Sequence, residues 1–204
     1  MVGGLCLHQR PRRHELPYAL IPFLFGIQQL LEGLIWLTLR DHASAFSCRS
    51  ENALTQGYSL FSQVFWPIFV PLAVGLLEAT AWRRRAIALC ALSGLTVGMY
   101  LLAAMIQRPV TAQLVAHHIA YDFDHSHVVT ASILYFVGAC AAPLFSSHRS
   151  VRLFGVAALA SSFISYLIFE TWFISVWCYF AGLMSCFVLL HFSSREAKPL
   201  LRWG

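Results

Sequence analysis

The chain alternates long apolar runs with short polar breaks. Six runs are long enough to cross about 30 Å of hydrocarbon, which takes roughly 20 mostly apolar residues in a helix. They are Pro17 to Leu39, Leu60 to Ala81, Ala86 to Ile106, Val128 to Phe145, Leu153 to Trp172 and Phe173 to Phe192. The last two touch, so a tight turn is expected near Thr171. No internal repeat, low-complexity tract or long linker divides the chain, and residues 1–204 read as one transmembrane domain. The expected fold is an all-α polytopic transmembrane helix bundle of six spans, or seven if the N-terminal stub is counted.

Composition agrees with this pattern. The chain is 58% hydrophobic and 11% charged, whereas soluble domains carry about 25% charged residues. So little polar surface cannot cover a water-soluble core, and the lipid bilayer is the expected partner. The stub VGGLCL precedes its basic run. A secretory signal has the opposite order and a small-residue cleavage site.

Charge then sets orientation. HQRPRRHE before the first span, WRRR at Trp82 to Arg85, SSHRSVR at Ser146 to Arg152 and SSREAKPLLR after the sixth span all fall on one side. The opposite loops, 40–59 and 107–127, hold only Arg40, Arg49 and Arg108, offset by acids. The positive-inside rule therefore predicts both termini in the cytoplasm. The net charge of +5 reads as topology and contact with anionic lipid rather than nucleic-acid binding.

Acids within spans are costly and mark candidate sites. Glu78 lies next to Arg83 to Arg85 and is expected to pair with that basic cap. Glu32 sits in FGIQQLLEGLIW, Phe25 to Trp36. Gln28 and Glu32 share a helical face by i,i+4 spacing, and Gln29 and Trp36 lie close to the same stripe. Gly26 and Gly33, one heptad apart, would let a neighbouring helix approach. Such a stripe makes either a hydrogen-bonded helix contact or a face that binds ligand or handles protons. Glu170 lies at the outer end of the fifth span among Trp172 and Trp177, where it is either an interfacial carboxylate or part of a site.

The outer segment HHIAYDFDHSH, residues 117 to 127, holds four histidines and two aspartates. Apolar residues at 110, 114, 115, 119 and 123 fit a helical period. On such a helix His118, Asp122 and His125 would share one face and suit zinc or another divalent metal. His117 and Tyr121 would form a neighbouring pair, with Asp124 and His127 fixing imidazole tautomers. A solvated outer loop and a proton-relay cluster are the other readings. Of six cysteines, Cys48 and Cys178 share the outer compartment, where an oxidising periplasm would allow them to pair.

The stretches FGIQQLLEGLIW, FSQVFWPIFVPLAV (Phe61 to Val74) and SVWCYFAG (Ser175 to Gly182) resemble a family of small uncharacterised bacterial multi-pass membrane proteins. The resemblance covers nearly the whole chain, and its most specific part is Q-Q-x-x-E-G-x-x-W, carried by Gln28, Gln29, Glu32, Gly33 and Trp36. It implies a bacterial inner-membrane location and, in those relatives, an additional first apolar segment, of which this chain has the VGGLCL stub. It implies no activity.

The leading expectation is an inner-membrane protein that binds a metal ion, haem or small ligand. Its site would face outward, between the bundle and the 110–127 segment. Catalysis would rest on Glu32 or Glu170 as general base beside a metal-bound water, as in a metal-dependent hydrolase acting on lipid. A third expectation is a non-catalytic subunit of a larger membrane complex.

Overall fold

A computed structural model describes residues 2–8, 11–40, 45–115, 118–168 and 170–196. The chain folds as an all-α polytopic bundle with one small β-hairpin. A short helix α1, Val2–His8, precedes α2, Leu16–Arg40. Helix α3, Ala45–Ser59, runs through a π-helical segment, Leu60–Phe65, into α4, Trp66–Leu77. Helix α5 follows over Ala81–Gln107. The hairpin pairs β1, Thr111–Val115, with β2, His118–Asp122. Helix α6, Val128–Phe136, continues through a second π-helical segment, Val137–Ala141, into α7, Ala142–Leu144. Helix α8, Arg149–Ile168, is joined by a 3-10 turn at Glu170–Trp172 to α9, Phe173–Leu183, and then α10, Ser185–Glu196.

Among the described residues, five helical stretches are long and apolar enough to cross a membrane: Leu16–Arg40, Glu51–Leu77, Ala81–Gln107, Arg149–Ile168 and Phe173–Ser193. Val128–Leu144 is a shorter apolar stretch beside them. Many large apolar side chains stay exposed, among them Leu30, Leu89, Val129 and Ile168. In water they would be a liability, but on a lipid-facing surface they are expected.

The bundle closes tightest where α4, α5 and the second π-helical segment cross. A Cβ built on Gly94 would overlap the Pro67 carbonyl oxygen, and one on Gly138 would lie 2.8 Å from the Gly94 Cα. Small residues at a helix crossing let backbones approach and gain dispersion contacts, which is how helices associate in lipid. Gly26 and Gly33, expected in that role, have nothing within 4 Å of a built Cβ. The closest packing belongs to α5 and its neighbours, and the small residues of α2 do not provide it.

Both π-helical segments precede prolines. Proline has no backbone N–H. The i→i−5 pattern runs from the Trp66 N–H to the Phe61 carbonyl, and at Pro67 it stops. The Ser62 carbonyl, which Pro67 would otherwise reach, accepts a hydrogen bond from the Tyr135 hydroxyl at 2.6 Å. A buried tyrosine of α6 thereby ties that helix to the first π-helical segment.

One end of the bundle gathers the basic loops. The Arg83 guanidinium donates to the carbonyls of Phe145 and Ser146, and Arg152 donates to Ser146 and Ser147. Glu78 was expected to pair with the arginines beside it. Its carboxylate instead accepts from the backbone amides of Thr80 at 2.9 Å and Ser147 at 2.6 Å. Backbone amides ahead of α5 and α8 lack helical acceptors, and one buried carboxylate satisfies one from each.

At the opposite end, residues 110–123 form the hairpin rather than a helix. Val110, Leu114, Ile119 and Phe123 fit both templates, because every i+4 step is also an even step along a strand. Val110, Thr111, Val115 and Ile119 are β-branched, and such side chains favour extended backbone. Ala112 pairs with Tyr121, and Leu114 with Ile119. These four side chains therefore share one strand face, and Ala112, Ile119 and Tyr121 pack on the bundle.

Candidate functional site

Glu32 lies partly buried near the hairpin end of α2. Its carboxylate accepts from Gln29 Nε2 at 3.3 Å and from the Tyr121 hydroxyl at 3.5 Å. Ser175 of α9 and Tyr58 of α3 stand beside the same carboxylate. The side chains thus come from two helices on either side of α2 and from the hairpin above it. The Tyr58 and Tyr121 rings stack at 4.7 Å, and Gln56 Nε2 donates to the Val110 carbonyl at 2.7 Å, fastening the hairpin to α3.

One turn back, Gln28 is fully buried. Its Oε1 accepts from Trp66 Nε1 at 2.5 Å, and Trp66 stacks on Phe25 at 3.9 Å. Gln28 Nε2 and the Tyr58 hydroxyl are buried without a hydrogen-bond partner among the described residues. Both lie beside the thiol of Cys178, which is buried and free. Buried polar groups are rarely left unsatisfied, and each exception calls for an explanation.

A cavity of about 90 Å³ adjoins this cluster, lined by Ser62, Gln63, His125, Tyr135, Trp177 and Cys178 among others. Ser62 and Gln63 of the first π-helical segment form part of its wall, and such distortions are frequent at functional sites. Tyr135, Trp177 and Cys178 also wall a smaller apolar chamber of about 30 Å³ that reaches Phe25 and Trp66. At the hairpin end a wider vestibule of about 330 Å³ is lined by Tyr100, Gln107, Arg108, Asp124, His125 and His127. His125 borders both the vestibule and the cavity.

The remaining expected site residues lie elsewhere. The hairpin removes the helical face that was to unite His118, Asp122 and His125. His118 and Asp122 stand on the strand face opposite Tyr121, and four residues of strand separate them by about 13 Å. Among the described residues no three His, Cys, Asp or Glu side chains converge as a metal site would need. The His118 ring lies 4.9 Å from that of Trp172. Asp124 is ion-paired with Arg108, and both are exposed. His127, the residue before α6, adopts a left-handed backbone with φ 58°. His125 Nδ1 lies 3.0 Å from the Phe123 carbonyl. A carbonyl only accepts, so Nδ1 donates in this contact.

Trp36 carries the Arg40 guanidinium over its ring at 4.5 Å. That contact occupies Arg40, so no cationic side chain pairs with Glu32 among the described residues. His117, and the side chains of Glu170 and Cys48, lie outside the described residues. Tyr58, Trp66, Ser175 and Cys178 belong to the cluster without having been singled out from the sequence.

No curated protein and no solved structure matches the chain. A family pattern matches it over residues 1–202, and the chain belongs to this family of unknown function, DUF6629.

Proposed function

We propose that the chain is a bacterial inner-membrane protein, with both termini in the cytoplasm, that binds a small ligand at an outward-facing site between the bundle and the 110–127 segment. Glu32 is the polar anchor of that site. One observation carries the reading. A carboxylate with no cationic partner among the described residues sits beside the Tyr58 hydroxyl and one turn from the buried Gln28, and the Cys178 thiol is the neighbour that Gln28 Nε2 and that hydroxyl share. Aligned polar groups in a mostly apolar, concave surround are what small-molecule sites consist of.

The test is chemical analysis of the protein purified from its membrane in mild detergent. Wild type, Glu32→Gln and Glu32→Leu would each be examined by elemental analysis, absorption spectrum and mass spectrometry of a small-molecule extract. A stoichiometric component in wild type that is lost from Glu32→Leu supports the reading. Glu32→Gln keeps most of the hydrogen bonds, so its thermal stability separates loss of ligand from loss of fold. An empty wild type, or the same component in equal amount in both variants, overturns it.

A further inference from the structure

His125 lines both the vestibule and the cavity, and Cys178 in the cavity wall lies within electrostatic reach of Glu32, with Tyr58 beside both. We infer that these spaces form one access route from the outer face to the Glu32 site, and that the route admits a small organic cation, a primary or quaternary ammonium. The inference rests on the reading of Glu32 as a ligand anchor and specifies the ligand's charge and its way in.

Charge complementarity comes first. Glu32 has no cationic partner among the described residues, and Arg40, the cationic side chain on the same helix, is held over Trp36. In a surround of low dielectric a lone carboxylate attracts a cation far more strongly than in water. Among the described residues no Asp, Glu, Lys or Arg lines the cavity, and Glu32, within electrostatic reach of Cys178 in its wall, is the carboxylate whose field would act on a ligand there.

The walls suit the same ligand. Tyr135, Phe136, Phe173 and Trp177 face the cavity, and the stacked pair Tyr58 and Tyr121 flanks the carboxylate. Aromatic faces attract ammonium groups through the ring quadrupole, and cages of such rings bind quaternary ammonium ligands. The cavity of about 90 Å³ limits the buried part of the ligand to a few heavy atoms. An engineered cavity of about 150 Å³ is what benzene needs.

The doorway is polar and oriented. His125 donates from Nδ1 to the Phe123 carbonyl, which orients its ring where the two spaces meet. Beyond that neck no Lys or Arg lines the cavity among the described residues. Arg108, the cation nearest the route, is paired with Asp124 at the vestibule rim.

Cys178 supplies the readout at the end of the route. The protein in vesicles would be exposed from the outer side to two methanethiosulfonate reagents of similar size, one bearing an ethylammonium and the other an ethylsulfonate. Peptide mass spectrometry would then follow modification of Cys178. The cationic reagent should modify Cys178 at least about tenfold faster than the anionic one, which corresponds to about 1.4 kcal/mol. Glu32→Gln should shrink that preference to near parity, and Ser132→Trp, which fills the cavity wall, should slow both reagents.

An unmodified Cys178, equal rates for the two reagents, or a preference that survives Glu32→Gln would each overturn the inference. So would modification by a lipid-soluble reagent alone, because the route would then open to the bilayer. These rates are read without bound ligand. A failure here therefore leaves the anchor reading to its own test, and a wild type that purifies empty leaves the route measurable.

Discussion

At the scale of single residues, burial decides what a carboxylate does. Glu78 is 3% exposed and lies just past the end of α4. Burial alone would raise its pKa, but the amides of Ser147 and Thr80 stabilise the charged form and hold it below the ordinary glutamate value. A depressed folded-state pKa adds stability that is present above the unfolded value, about 4.3, and is lost as pH falls through the folded one. Glu78→Gln has one acceptor oxygen for two amides, so at neutral pH it should cost on the order of 1–3 kcal/mol. In thermal unfolding followed across pH, the gap between wild type and variant should hold near neutrality and close below about pH 4. A gap that persists unchanged into acid would show that the carboxylate charge contributes nothing. The sequence marked Glu78 as an acid near arginines, and proximity along the chain suggested an ion pair. The partner amide at Ser147 is remote in sequence, and the position of such a group is a property of the fold.

At the scale of elements, two kinds of glycine separate. In α5, Gly94 and Gly98 form a small-x-x-x-small pair facing α4, and built Cβ atoms there would collide with Pro67 and Ile68. Gly33 of α2 meets nothing. Gly94→Ala should therefore destabilise by at least the 1–3 kcal/mol or so typical of overpacking. Gly33→Ala should stabilise by about 0.5–1 kcal/mol, since alanine loses less backbone entropy in a helix. Melting temperatures of the two variants in one detergent measure this, and equal shifts of one sign would show that the helix crossing is not the tight point. The spacing of Gly94 and Gly98 was present in the sequence and points to a crossing. Gly26 and Gly33 are equally small, but among the described residues nothing approaches a Cβ built on either. The hairpin differs from the helix expected there for a related reason. Over residues 110–123 the helical and extended periods coincide, and β-branching was the signal that separates them. Because the segment is a hairpin, Tyr121 reaches Glu32 while His118 and Asp122 turn away. The histidine-rich stretch thus contributes one tyrosine and His125 to the site instead of a metal-binding face.

At the scale of the whole molecule, the apolar runs were legible because the bilayer imposes length and composition on every span. The site was only half legible. Gln28, Gln29 and Glu32 stood out as polar groups in a span, but Tyr58, Trp66 and Cys178 look like ordinary members of apolar helices until the bundle brings them together. Orientation is the property that both the sequence and the fold constrain. The loops around Arg83 and Arg152 meet at one end, tied by hydrogen bonds to Phe145, Ser146 and Ser147, while Ser126 and the hairpin lie at the other. In the proposed orientation, anionic lipid and the insertion bias for Lys and Arg would hold the first end in the cytoplasm. With cysteines introduced singly at Ser126 and Arg84, an impermeant thiol reagent added outside intact cells should modify the first and leave the second until the membrane is opened. Modification of both from one side would break the bundle topology itself. Modification of Arg84→Cys alone would keep the topology but invert it, placing the Glu32 site on the cytoplasmic face and reversing the direction from which a ligand arrives.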